Sequence, residues 1–278
     1  NIIQTAMASS ERIFELLDTP EQIPESVPPK SDFKLQGDVE FKNVWFAYKD
    51  ERYVLKDLSF SLKAGESLAI VGATGSGKST IINALCQFYE IAKGDILFDG
   101  HSIKNINKYD LRRQIALVQQ DVFLFSGSIL DNIRMGNQQI EQEEIESISL
   151  AVSSHNFISN LPFKYEQELN EDDISSGQRQ LLSFARALAA EPKILVLDEA
   201  TSNVDLETER QIQKGIKEMT RGRTSIIIAH RLSTLMHVDK VLVLKKGEVI
   251  EFGKRKELLQ QKGIFYQLCQ AQIKLEQS

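Results

Sequence analysis

Gly72-Ala73-Thr74-Gly75-Ser76-Gly77-Lys78-Ser79-Thr80 is the stretch that decides the fold. An apolar run, Leu68-Ala69-Ile70-Val71, precedes it, and a helical pattern, Ile81-Ile82-Asn83-Ala84-Leu85-Cys86, follows. Strand, glycine-rich turn and helix are the context that the P-loop pattern G-x-x-x-x-G-K-[ST] requires. The glycines let the backbone curl so that several N–H groups converge on one concavity. The helix N-terminus adds partial positive charge, so a polyphosphate is held largely by backbone. Gly72, Thr74, Gly75, Ser76, Gly77 and Thr80 are expected to line a nucleotide site. Lys78 is expected to bridge the β- and γ-phosphates, and the Ser79 hydroxyl to ligate Mg²⁺. The alternative is a glycine-rich turn without a ligand; the flanking strand and helix argue against it.

The chain has 278 residues, enough for one large or two small domains with ample core. Its net charge is −6, with acids and bases interspersed. No nucleic-acid partner is expected, because a sequence-independent nucleic-acid surface needs a basic excess or stripe. Cys86 and Cys269 lie far apart in apolar helical patterns and read as buried thiols of a reducing compartment. No His/Cys cluster has metal-ligand spacing. No run of about 18 apolar residues exists to span a membrane, and no signal peptide is visible. The first residue, Asn1, falls inside a helical pattern, which points to a fragment of something longer.

Outward from the P-loop, the pattern is mixed. Residues 5–18 carry Ala6, Ser10, Ile13, Phe14 and Leu17 at helical spacing. Thr19 to Pro29 holds four of the six prolines and reads as an extended linker, so the globular part begins near Gly37. Val39, Phe41, Leu58, Phe60 and Leu62 alternate with polar residues around a turn at 49–52, as antiparallel strands do. Phe46 and Tyr48 are the candidates to leave the core there, although spacing alone makes Tyr48 a plain strand aromatic. Residues 94–100 read as a strand and turn, and 111–118 lead into a strand end at Gln119-Gln120-Asp121. Residues 122–190 change character: helical patterns at 128–135, 142–152 and 178–190 indicate a helical insert between halves of an α/β core. The continuous runs Ile194-Leu195-Val196-Leu197 and Ile226-Ile227-Ile228 mark buried parallel strands. A hairpin joined by Lys246-Gly247 and helices at 253–261 and 264–274 close the chain.

Asp198-Glu199 ends an apolar run, and ligands of open α/β sheets bind at the carboxyl ends of strands. Both acids therefore fall beside the P-loop if the two strands neighbour. Asp198 would hold Mg²⁺ directly or through water, and Glu199 would orient and polarise a water for in-line attack on the γ-phosphate. The competing reading is two solvated acids capping a strand. His230 ends the next buried strand and could sense the γ-phosphate by hydrogen bond. Gln120, at another strand end, has an amide that can meet Mg²⁺ or the attacking water. His101, His155 and His237 have no such placement. Ser175, in Ile174-Ser175-Ser176-Gly177-Gln178-Arg179-Gln180, is a helix N-cap candidate. A helix N-terminus of small residues can also serve a second nucleotide, completing a site on another copy or partner.

Together these residues resemble the nucleotide-binding domain of ATP-binding cassette transporters, of the exporter type found in multidrug and lipid half-transporters. The resemblance covers roughly residues 38–272. In it Tyr48 matches the aromatic that stacks on adenine, and residues 72–79 match the P-loop. Gln120 matches the Q-loop glutamine, and Ser175-Ser176-Gly177-Gln178 the family signature. Asp198 and Glu199 match the Mg²⁺-binding strand and catalytic glutamate, Ser202-Asn203-Val204-Asp205 the D-loop, and His230 the switch histidine. The resemblance implies an α/β fold, a RecA-like P-loop core with an antiparallel β subdomain and an α-helical subdomain inserted at about 122–190. It implies a cassette over 38–278, with 1–37 as helix and Pro-rich linker following a missing transmembrane domain. ATP and Mg²⁺ are then the expected substrate and metal. Two cassettes would close head to tail around two ATP molecules, each held between one chain's P-loop and the other's signature. The location would be the cytoplasmic face of a membrane. The segment 120–128 and the helical insert would meet the membrane domain.

One departure stands out. The family's usual signature reads Leu-Ser-Gly-Gly-Gln, whereas this chain has Ile174-Ser175-Ser176-Gly177-Gln178. Ser176 puts a side chain where the family leaves bare backbone facing phosphate. The acid-rich stretch 166–173 also lacks the family's glycines. Lys78, Asp198, Glu199 and His230 are intact, so the chain would work either in a heterodimer with one competent and one weaker site or in a homodimer that tolerates the serine. Rival classes are a small-molecule kinase, a cassette acting on nucleic acid and an ATP-binding regulatory domain. The signature, the charge and the intact Glu199 and His230 argue against them in turn.

Overall fold

The computed structural model describes residues 2–19, 28, 34–169, 174–198, 205–229 and 232–276. In chain order the elements are α1 (Ile2–Leu17), β1 (Val39–Ala47), β2 (Tyr53–Leu62), β3 (Ser67–Val71), α2 (Lys78–Leu85), β4 (Lys93–Phe98) and β5 (His101–Ser102). Then come α3 (Lys108–Arg112), β6 (Ile115–Val118), α4 (Ile129–Arg134), α5 (Gln142–Ala151), α6 (His155–Ser159), α7 (Ser176–Ala189) and β7 (Ile194–Asp198). The last are α8 (Leu206–Thr220), β8 (Thr224–Ile228), α9 (Leu232–Leu235), β9 (Lys240–Lys245), β10 (Glu248–Lys254), α10 (Arg255–Gln261) and α11 (Ile264–Glu276).

The strands form two sheets. A six-stranded sheet runs β10-β9-β3-β8-β7-β6, parallel throughout except for the antiparallel edge strand β10. A four-stranded antiparallel sheet runs β2-β1-β4-β5. The apolar runs explain the larger sheet. Successive side chains point to opposite faces, so a strand covered on both sides is apolar at every position. In β3, β7, β8 and β9 the alternation divides neighbours between two cores. Ala69, Val71, Leu195, Leu197, Ile227, Val241 and Val243 pack with the helices α4, α5, α7 and α8. Leu68, Ile70, Ile194, Val196, Ile226, Ile228, Leu242 and Leu244 pack with α2, α3 and the antiparallel sheet. Burying each such aliphatic side chain contributes on the order of 1.5–3 kcal/mol, which holds the sheet as the rigid floor of the molecule.

This is an α/β fold: a RecA-like P-loop core, an antiparallel β subdomain on one face and an inserted α-helical subdomain on the other. The helices at 128–135, 142–152 and 178–190 are present as α4, α5 and α7. The pattern did not disclose α6, a five-residue helix too short to show a period. Phe46 is a correction. A candidate to leave the core, it is 0% exposed, because the strand irregularity between Phe41 and Val44 leaves Lys42 and Asn43 both outward and shifts the inward set to Val44 and Phe46, opposite Leu55. Tyr48, just past β1, is 44% exposed. Cys86 and Cys269 are buried free thiols. Leu35, ahead of β1, is already buried in the second core, with its N–H on Gln114 Oε1 at 2.7 Å. Most of the Pro-rich linker lies outside the described residues. Among the described residues no helix is long and apolar enough to cross a membrane.

Candidate nucleotide-binding site

The loop 72–77 leaves the carboxyl end of β3 in the middle of the large sheet and runs directly into α2. Gly77 is the pivot, with φ +108°, and a Cβ there would stand 2.9 Å from Leu55 Cδ2. Only glycine turns the chain into the helix at that point. No side chain caps α2, so its N-terminal amides face the loop's hollow with their partial positive charge. Lys78 is buried, and its ammonium donates to the Gly72 and Ala73 carbonyl oxygens at 2.9 and 3.2 Å. Burial lowers the Lys78 pKa, and the Asp198 carboxylate partly offsets this. Ser76 Oγ is buried without a hydrogen-bond partner among the described residues. An orphaned hydroxyl, uncapped amides and a lysine on its own loop's carbonyls form a donor set that fits a polyphosphate.

The strand order corrects one premise. β3 and β7 are not neighbours; β8 lies between them. Asp198 nonetheless reaches the site, because the register sets Ile70, Ile228 and Asp198 level across the three strands. Two strand spacings amount to about 10 Å, and a lysine side chain covers most of that distance. Asp198 therefore acts on Lys78 electrostatically. Gln120 is exposed just beyond β6, on the far side of β7. All three strand ends meet the same sheet edge as the P-loop. Glu199, His230 and the segment Ser202-Asn203-Val204 lie outside the described residues. Asp205 caps α8, accepting from Glu207 and Thr208 amides at 3.1 and 3.0 Å.

Tyr48 is fixed by its neighbours. Its hydroxyl donates to Thr80 Oγ1 at 3.3 Å and accepts from Asn83 Nδ2 at 2.8 Å. Its ring stands edge-on to Phe46 and Tyr89, with centroids 4.8 and 5.0 Å apart. A flat, half-exposed ring is thus held over the start of α2. Sequence reasoning missed Asn83. The signal was available: Thr80 and Asn83 are three apart on one helix and share a face. Ser79 is exposed on the opening turn.

Ser175 forms a full capping box on α7. Its Oγ accepts from the Gln178 amide at 3.2 Å, and Gln178 Oε1 accepts from the Ser175 amide at 2.9 Å. Ser176 is exposed and Gly177 buried. The packing sets α7 on the face of the sheet opposite α2. Within one chain the Ser175 helix and the Lys78 loop therefore belong to different faces.

Comparison with known proteins is consistent with this geometry. The family model described as ABC transporter matches residues 55–202. An uncharacterized ABC transporter ATP-binding protein of Bacillus subtilis is 46% identical over 98% of this chain and 45% of its own length. A fatty acid ABC transporter ATP-binding/permease protein of Mycobacterium bovis is 43% identical over 98% of this chain and 43% of its own. A solved bacterial Atm1-family ABC exporter with ATP bound superposes with a TM-score of 0.84 at 35% identity, over 97% of this chain and 48% of that one. The chain spans about half the length of the proteins it matches.

Proposed function

The chain belongs to the ABC transporter family, and we propose that it is the ATP-binding and ATP-hydrolysing motor of a membrane exporter, acting as a head-to-tail dimer that couples hydrolysis to substrate export. The observation that carries this reading is the P-loop: Lys78 on the carbonyls of Gly72 and Ala73, beside the orphaned Ser76 hydroxyl and the uncapped start of α2.

In the proposed site the amides of 74–80 and the Lys78 ammonium hold the triphosphate, and Tyr48 stacks on adenine. Ser79, Gln120 and Asp198 are the candidate holders of Mg²⁺. Bound Mg²⁺ would neutralise charge on the terminal phosphates. Glu199 accepts a proton from, and aims, the attacking water, while His230 and Gln120 hydrogen-bond at the γ-phosphate end. Ser175, Ser176, Gly177 and Gln178 present the start of α7 to the nucleotide of the second cassette. That assignment fits α7 standing on the sheet face opposite its own P-loop.

The same reading divides the chain into a leading segment, 1–37, that follows a transmembrane domain, and a cassette over 38–278 with its helical part at about 122–190. The second cassette is another copy or a homologous partner, and the whole works at the cytoplasmic face of a membrane. Ile3, Met7, Phe14 and Leu17 form an exposed apolar stripe on α1, which an adjoining domain would cover. Steady-state turnover of MgATP tests the proposal. The parent chain is expected to release phosphate, and Glu199→Gln to retain binding while losing about 100-fold or more in rate. A Glu199→Gln variant as fast as the parent would remove Glu199 from the chemistry.

A further inference from the structure

Arg186 lies further along α7, the helix that begins at the Ser175 motif. Among the described residues its guanidinium makes three hydrogen bonds, all to one neighbouring segment. Nε donates to the Asn132 carbonyl oxygen at 2.9 Å, Nη2 to Asn132 Oδ1 at 2.8 Å, and Nη1 to the Phe123 carbonyl oxygen at 3.0 Å. The guanidinium also stands 5.3 Å from the Phe125 ring centroid. Asn132, only 1% exposed, brackets Phe125 in turn. Its Oδ1 accepts from the Phe125 amide at 2.9 Å, and its Nδ2 donates to the carbonyls of Phe125 and Ser128 at 2.8 and 3.0 Å. Gly136 lets the end of α4 close onto α7, since a Cβ there would overlap the Arg186 carbonyl oxygen.

A half-buried cation answered by carbonyl and amide oxygens, with no carboxylate partner among the described residues, is a costly way to join two helices. Apolar side chains would hold α4 to α7 as well or better. What the fork adds is direction. Its fixed planar donors bind a particular backbone path, that of 123–125, to α7. This path starts at Gln120, at the end of β6.

We infer that Arg186 is a positioning residue for the ATPase reaction: it locks the segment carrying Gln120 to the helix carrying the Ser175 motif, so that Gln120 at this chain's own nucleotide and the Ser175 motif at the second cassette's move as one body. The inference rests on the proposed roles of Gln120 and the Ser175 motif. The test is MgATP turnover and amide hydrogen exchange for the parent chain, Arg186→Lys and Arg186→Gln. Lysine keeps the charge and loses the fork. Both variants are expected to hold KM for ATP within about twofold while kcat falls about tenfold or more. Exchange should rise across 121–127 and stay unchanged in β3 and α2. An unchanged kcat would overturn the inference, as would exchange raised through β3 and α2 together with a rising KM, since that pattern belongs to general destabilisation. Should neither variant fold, Asn132→Ser, which removes the Oδ1 acceptor of the Arg186 Nη2 donor together with the Asn132 side-chain bonds to Phe125 and Ser128, is judged by the same readings. Parent turnover that survives Lys78→Ala would instead overturn the nucleotide reading itself, so the two failures are distinguishable.

Discussion

Tyr48 shows how a surface aromatic becomes a platform. The hydroxyl contacts of Thr80 and Asn83 fix its ring plane, and Phe46 and Tyr89 buttress its edges. Base–aromatic stacking is worth roughly 1–3 kcal/mol, so Tyr48→Ala is expected to weaken ATP binding by about 5- to 150-fold in a fluorescence titration. Equal affinity would reduce Tyr48 to a packing residue. Cys86 offers a second residue-scale test. Burial pushes its thiol pKa from 9.0 to about 12, partly countered by Arg112. The folded chain thus keeps its proton at pH values where the unfolded chain has lost it. Where the unfolded state binds fewer protons, stability falls as pH rises. Between pH 9 and about 12 this thiol therefore costs stability, by up to about 4 kcal/mol at the upper end. Cys86→Ala is expected to lose less stability than the parent over that range in denaturant titrations, and parallel losses would contradict the assignment. Tyr48 and Cys86 differ in legibility. An apolar helical pattern foretold the buried thiol, whereas the site role of Tyr48 came from resemblance and not from spacing.

Among the elements, local pattern was read more reliably than adjacency. Continuous apolar runs named β7 and β8 as buried strands because such strands are covered on both faces. The same runs carry no information on strand neighbours, which is why β8 between β3 and β7 could not be foreseen. The turn at 49–52 and the hairpin at Lys246-Gly247 were legible because turns are short-range chemistry. Phe46 was misread because an irregular register breaks the simple alternation that places side chains. The capping box of α7 was half legible: Ser175 announced itself, while the return bond from Gln178 emerged with the fold. The α4–α7 junction belongs to this scale too. Gly136→Ala is expected to destabilise the chain by about 1–3 kcal/mol through overpacking against the Arg186 carbonyl. A melting temperature equal to the parent's would show that the junction can open at no cost.

For the molecule as a whole, the sheet edge gathers residues far apart in sequence. Lys78, Gln120 and Asp198 come from three strand ends, and their types and order were readable because each motif is local. Arg186 was not readable as a site support, because its meaning lies in contacts with residues distant in the chain, whereas Asn83 was missed although its helix face, shared with Thr80, was legible. With α7 and α2 on opposite faces of the sheet, the proposed reading takes the Ser175 motif at a bound triphosphate from a second cassette, another copy or a homologous partner. Light scattering of Glu199→Gln with MgATP is expected to show a dimer that the nucleotide-free chain does not form. A persistent monomer with ATP bound would point to a different partner cassette, as Ser176 in the signature already invites. Beneath all of this lies one claim, that the 72–80 loop holds a triphosphate through backbone amides and Lys78. Calorimetric titration of MgATP into the parent chain and into Lys78→Ala tests it most directly. The account expects one ATP per parent chain and an affinity at least about tenfold weaker in the variant. Equal binding by both proteins, or none by the parent, would contradict it.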